Sequence, residues 1–224
     1  MVDGEAMVRD AGRAGGERGM ALIATLMAAL LLVALAGVLA PLSMIETAVG
    51  VNHRRAVQAL YAAEAALDLA VAELGSLPDW STALNGSTRS AFRDATLAPV
   101  MPDGARIDLA AIAAGLRMDG AGATSAGRGL DWRLFAHGRF SAWTPVPAGY
   151  GPWLVAVWIA DDAADPNPDS GLDGNDAIVA HAAAFGPRGA RRAVQATLVR
   201  QAVTPPPPAP MRTRVRLASW SVVR

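Results

Sequence analysis

The chain has no cysteine and no lysine; all 20 of its basic residues are arginine. The first absence excludes a disulfide framework, a thiolate metal site and a cysteine nucleophile, and leaves the redox compartment unmarked. The second removes a P-loop lysine and a Schiff-base lysine, so common enzyme classes lose ground. Net charge is also lacking, since 20 acids balance 20 bases, which argues against an overall nucleic-acid footprint. The balance hides segregation. Residues 161–176 hold six acids and no base, whereas 188–224 hold eight arginines and no acid.

Charge is missing most conspicuously between Met20 and Ile45. As a helix these residues would span roughly 39 Å, more than the roughly 30 Å of bilayer hydrocarbon. Residues 1–19 before them are polar and Gly-rich and read as a disordered leader peptide. Arg9, Arg13 and Arg18 favour a cytoplasmic location for that leader. Three processing schemes fit: a plain signal anchor, a leader removed before Met20, or a secretory signal cut after Ala34-Leu35-Ala36, before Gly37. Each predicts a different mature N-terminus.

A transmembrane and assembly helix is therefore expected over 20–45 and an amphipathic helix over 46–76. Residues 57–74 contain neither Gly nor Pro. Val57, Leu60, Leu67, Val71 and Leu74 form the expected apolar stripe, with Glu64 inside it. Pro41 and Gly50 would kink or loosen the path without ending it. If continuous, residues 20–74 form a rod roughly 80 Å long, stopping at Gly75 ahead of Pro78.

The remainder, 77–224, reads as one domain on the far side of the membrane. Turn signals punctuate 79–130, where only Asp108 to Arg117 looks helical, with Asp108 as N-cap and Leu109, Ile112 and Leu116 buried. Residues 120–129 read as a flexible loop. Strands are expected at Trp132–Trp143, Trp153–Ala160, Ala177–Phe185, Arg191–Val203 and Arg214–Val223, in an antiparallel meander because the connections are short. Gly186-Pro187-Arg188-Gly189 signals a hairpin, and the Pro-rich tract 204–210 an extended bridge. The fold class is α+β: a long N-terminal helix packed on an antiparallel sheet of four or five strands.

The order of these features carries a resemblance. A leader ending in Arg18-Gly19, an apolar run from Met20, Pro41 in the run and Ala62-Ala63-Glu64-Ala65-Ala66 in the amphipathic half resemble type IV pilins and pseudopilins. The chain is most similar to PilX-like minor pilins and GspK-like minor pseudopilins, over residues 18–74. The resemblance implies cleavage between Gly19 and Met20 by a prepilin peptidase, methylation of the new terminus, and a role in packing rather than catalysis. Implied partners are other pilins or pseudopilins and the inner-membrane assembly platform, with no nucleic acid. The implied location is the inner membrane, single-pass with a periplasmic domain, and then a type IV pilus or type II secretion filament. Most of the family places a glutamate five residues after the cleavage site, where this chain has Ala24. A buried charge left unpaired is costly, so a filament tip or priming complex suits this chain better than repeated internal positions. The rival from another class is a signal-anchored or secreted periplasmic module, a calcium-dependent binding protein or a hydrolase.

Two further features bear on chemistry. Glu64 is either a solvated residue on the helix back or a carboxylate that pairs with an arginine of the sheet or of a neighbour. The acidic stretch spaces Asp165, Asn167, Asp169, Gly171, Asp173 and Asp176 at positions 1, 3, 5, 7, 9 and 12 of a calcium loop. Ser170 stands where that loop needs glycine, its last ligand is Asp rather than Glu, and its flanks read as strands; a solvated acidic hairpin loop is the competing expectation. His53, His137 and His181 lack metal-ligand spacing, and the Gly120-x-Gly122 pair lacks the third glycine of a dinucleotide fingerprint. Arg212, Arg214 and Arg216 fall on one side of a strand at period two, and the six tryptophans are expected in the core.

Overall fold

The computed structural model describes the backbone of residues 5–120, 130–147, 150–203 and 212–223, and side chains there except at 5–18, 118–120, 203, 212 and 213. The flexible loop expected at 120–129 and the proline bridge at 204–210 lie almost entirely outside these residues. The chain divides into two units, Met1–Asn52 and His53–Arg224.

The first unit is helical. Helix α1 runs Glu5–Ser76 with Pro41 inside it. The disordered leader is thereby corrected, since residues 5–19 are already helical. Their Glu, Ala, Met and Arg are good helix formers, and adding turns to an existing helix avoids the cost of nucleation. From Gly19 to Asn52 every side chain is exposed. Thr25 donates its hydroxyl hydrogen to the carbonyl of Leu22 at 2.8 Å and Thr47 to that of Ser43 at 2.9 Å, so these hydroxyls are satisfied within the helix.

The second unit is a five-stranded antiparallel sheet in the order β1 (Arg133–Arg139), β2 (Leu154–Asp161), β3 (Ala177–Phe185), β4 (Arg191–Val203) and β5 (Arg212–Val223). The meander and all five strands agree with expectation. The largest boundary difference is in the first strand, which ends at Arg139, and Phe140–Trp143 form a helical turn, α4. The short α2 (Ser81–Leu84) had no clear sequence signal. Helix α3, Leu109–Gly120, starts where expected. Asp108 Oδ1 accepts the backbone N–H groups of Ala110 and Ala111 at 3.0 and 2.9 Å, capping it.

Both faces of the sheet are covered. On one side the later turns of α1 pack with α2 against Val155, Val157, Ile159, Ala180, Ala182, Val194 and Leu198. The buried face of α1 is Ala59, Ala62, Ala63, Ala66, Leu67, Ala70 and Leu74, while Val57, Leu60 and Val71 are half-buried at its margins. The expected Val/Leu stripe is thus displaced toward alanine. Small side chains let a helix backbone approach a sheet of branched residues closely, whereas a row of leucines would hold it off. On the other side Leu109 of α3, Met101 and Trp132 cover Leu154, Ala156, Trp158, Val179 and Ala183.

At the β3–β4 hairpin, Gly186 has room for no side chain: a Cβ there would lie 2.1 Å from the Trp153 ring. Arg188 (φ 59°) and Gly189 (φ 72°) complete the reversal in left-handed conformations.

Candidate functional site

Two regions carry the residues singled out in the sequence. The first is the exposed apolar helix of the first unit. Gly19 and Met20, the expected cleavage pair, sit within α1, and Met20 is 73% exposed. Ala24 and Pro41 lie on the same helix, likewise exposed. The helix is long and apolar enough to cross a membrane, and its most apolar stretch is not buried at all. Glu64 belongs to the second unit, is half-buried, and forms no ion pair with the arginines among the described residues.

The second region is the loop joining β2 to β3. The last residue of β2, Asp161, faces the same side as Ile159 and is 93% buried. One carboxylate oxygen from each of Asp161, Asp165 and Asp173 lies within 4.8 Å of the others. Asp165 and Asp173 were among the expected ligands; Asp161 was not. The only signal that pointed to it was an acid closing an otherwise apolar strand.

Asp169 and Asp176, also among the expected ligands, are not in that group. Asn167 Oδ1 accepts the N–H of Asp169 at 3.0 Å, and Asp169 Oδ1 that of Gly171 at 2.9 Å. Asp176 takes a left-handed conformation (φ 57°) and pairs with Arg200 at 3.3 Å. The loop is held by its own side chains. It folds through successive turns in which each side-chain oxygen holds the backbone two residues on. Asp165 fixes both ends of this arrangement, accepting the N–H of Asn167 at 2.7 Å and of Gly174 at 2.6 Å. Asp173 is held from both sides, by Ala177 N–H on its Oδ1 at 3.2 Å and by its own N–H on Ser81 Oγ of α2 at 3.0 Å.

Burial pushes the Asp161 carboxyl up to about 7, with Asp165, Asp162 and Asp173 adding repulsion and the Asp162 N–H opposing it. Burial likewise raises Asp173. Three convergent carboxylates fit a hard divalent cation, which would replace the proton on Asp161 and cancel the repulsion. Calcium takes roughly six to eight oxygens, so carbonyls and water would complete the shell. The residues present fit that donor chemistry.

No family model matches this chain, and neither does any curated protein or solved structure. The site stands on its own geometry.

None of the three histidines belongs to this group. His53 is exposed, while His137 and His181 are 1% exposed on the α3 side of the sheet. The His181 ring stands 5.8 Å from that of Trp132 and 5.9 Å from that of Trp158. Burial lowers the His181 imidazole to about 4, with Arg191 adding to the effect and the cross-strand Gln195 amide opposing it. Neither ring nitrogen forms a hydrogen bond of normal geometry. Among the described residues the Asp161 group is the one place where such ligands gather.

Proposed function

We propose that this chain is a minor pilin or pseudopilin, a non-catalytic subunit that initiates, caps or modulates a type IV pilus or a type II secretion filament. One observation carries the reading. A single helical element, α1, is exposed over residues 19–52 and free of charge from Met20 to Ile45, yet buries an alanine face on an antiparallel sheet within residues 53–76. Such an element supplies both an anchor and a seat for a head domain.

The mechanism is exchange of surroundings. In the bilayer the apolar side chains from Met20 to Val49 meet lipid; in a filament they meet neighbouring helices. Burial contributes about 25 cal/mol per Å2 of apolar area removed from water, so leaving the bilayer is favourable only when other helices take the place of lipid. Processing between Gly19 and Met20 by a prepilin peptidase would create the amine that ends this helix. Ala24 gives that amine no carboxylate from a copy of this chain, so the subunit is placed at a tip or priming complex in few copies. The inner-membrane assembly platform and other pilins are its partners, and the sheet unit lies on the periplasmic side. The Asp161, Asp165 and Asp173 group is proposed as a calcium site that stiffens the head.

The mass of the mature N-terminal peptide tests the reading. N-methyl-Met20 is expected. A terminus at Gly37 would make the chain a secreted module, and an intact Met1 a plain signal anchor; either result rejects the filament role.

A further inference from the structure

The strand register sorts the charges of the second unit between the two ends of its sheet. Arg139, Leu154, Phe185 and Arg191 pair in turn across β1 to β4 and form the last rung at one end. Arg192 is the next residue of β4, and Arg188 sits in the turn between β3 and β4. Arg191 and Arg192 belong to opposite faces of the sheet, but at the end of the strands both reach the solvent beyond the last rung. The acidic loop closes the other end, after Asp161 at the end of β2.

Helix α1 enters at the arginine end. Tyr150, four residues before β2, donates its hydroxyl hydrogen to the carbonyl of Gln58 at 3.0 Å, and Arg54 lies one helical turn before Gln58. The helix stops at the acidic end, where Trp80 Nε1 donates to the Leu74 carbonyl and Arg200 to that of Pro78. Arg54, Arg139, Arg188, Arg191 and Arg192 are exposed and Arg55 is half-buried, and none of them forms an ion pair among the described residues. Asp103 accepts the Arg188 N–H at 2.6 Å and Asp94 shares a cleft with Arg139, so the arginines keep the majority there.

The chain itself selects what this end faces. Ile45, the last residue of the uncharged run, is nine residues from Arg54. With 20–45 in a bilayer, the arginine end is tethered within about 30 Å of the lipid surface even for a fully extended connection. Such a tether makes a weak attraction effective, because the surface is never diluted away. Arginine also suits phosphate, since its planar fork donates two parallel hydrogen bonds to one group. We infer that the arginine end of the second unit docks on anionic lipid headgroups of the membrane that holds α1, with Arg54, Arg55 and Arg192 against the phosphates. The same field repels the acidic loop at the opposite end and keeps it toward solvent, open to a cation. The inference rests on the membrane anchor in the proposed function and not on the filament role.

The absence of cysteine allows one label per chain. Full-length Ala142→Cys, just beyond Arg139, and Ala164→Cys, in the acidic loop, each carry a fluorophore. Both are reconstituted in vesicles of phosphatidylcholine alone or mixed with phosphatidylglycerol, with a headgroup-attached quencher in each. Quenching at 142 is expected to rise several-fold with phosphatidylglycerol and to fall back in high salt, which screens exposed charges. Quenching at 164 is expected to stay low in both lipids. Arg54→Gln, Arg55→Gln and Arg192→Gln combined should remove the phosphatidylglycerol effect at 142, with unchanged thermal melts showing that the fold is kept. Equal quenching at 142 in the two lipids overturns the proposal, as does an equal rise at 164 or an undiminished rise in the folded arginine variant. Carbonate extraction reads the anchor separately. A chain released from both vesicles has no anchor and the docking falls with it, whereas a chain retained in both without the lipid effect rejects the docking alone.

Discussion

The guanidinium of Arg200 on β4 lies 4.5 Å from the centroid of the Trp80 ring. Its Nη1 donates to the carbonyl of Pro78 at 2.9 Å and pairs with Asp176 Oδ1 at 3.3 Å, while its backbone N–H meets the Asp176 carbonyl at 2.8 Å. Trp80 in turn donates from Nε1 to the carbonyl of Leu74 in the last turn of α1, at 2.9 Å. One side chain, 12% exposed, therefore ties the sheet, the end of the long helix and the acidic loop together.

Arg200→Ala is expected to lower stability by about 2 kcal/mol, since it removes a desolvated cation over an indole and leaves the Pro78 carbonyl without its donor. Arg200→Lys should recover less than half of this, because an ammonium cannot keep the planar stack and both bonds. Urea melts of the full chain check both. An alanine variant as stable as the parent would show the contact to be incidental.

Gly186→Ala is expected to cost about 1–3 kcal/mol through its clash with the rigid, buried Trp153 ring. Gly104→Ala is the control: a Cβ there meets nothing within 4 Å, although its φ of +85° carries a conformational cost of its own. The loss at 186 should be relieved by Trp153→Leu and that at 104 should not, which thermal melts of the double variants would read.

Two groups titrate in opposite senses between about pH 4 and 7. His181 has its imidazole lowered to about 4 from 6.5, so the unfolded chain binds the extra proton between those values and stability is lost as pH falls through that window. Asp161 is raised to about 7 from 3.8, so its fold favours the proton and stability is lost as pH rises through that window. At 1.36 kcal/mol per pKa unit the His181 shift is worth about 3 kcal/mol and the Asp161 shift about 4 kcal/mol, and they largely offset. Asp161→Asn should leave a fold that weakens toward acid, and His181→Phe one that weakens toward neutrality. Parallel pH profiles for the two variants would contradict both assignments.

Calcium should bind more tightly as pH rises toward 7 and beyond, because it must displace the Asp161 proton. A rise in melting temperature with millimolar calcium is expected at pH 7.5 and not at pH 5.5. Asp161→Asn and Asp165→Asn should each abolish it, and Asp169→Asn should not. Calorimetry showing equal loss in all three would return the site to the wider loop first read from the spacing.

Glu64, half-buried and outside any ion pair among the described residues, is expected to tolerate Ala within about 0.5 kcal/mol. A larger loss in melts of the isolated chain would show a pairing within its own fold. Unchanged stability with defective assembly would place its partner on another subunit.

Much of this architecture was legible in local signals. Strand limits followed from apolar runs and from turn residues such as Gly186 and Pro187, and the start of α3 from the Asp108 cap. These are short-range effects, settled within a few residues of chain. Helical period also placed Ala62, Ala66 and Leu67 on a shared side of α1, but the apolar scale drew attention to Val57, Leu60 and Val71 instead. Depth of burial depends on what the helix packs against, and a sheet face of valine, isoleucine and alanine takes the alanine side of the helix.

The acidic loop divides the same way. Its composition alone marked it as a cation candidate, and its spacing placed Asp165 and Asp173 in the group. That Asp161 joins them, that Asp176 turns away to Arg200, and that Ser81 from α2 holds Asp173 were decided by the tertiary structure. The reason is physical: spacing along a chain limits which side chains can meet, but burial at the end of β2 and the pull of an arginine from β4 determine which of them do.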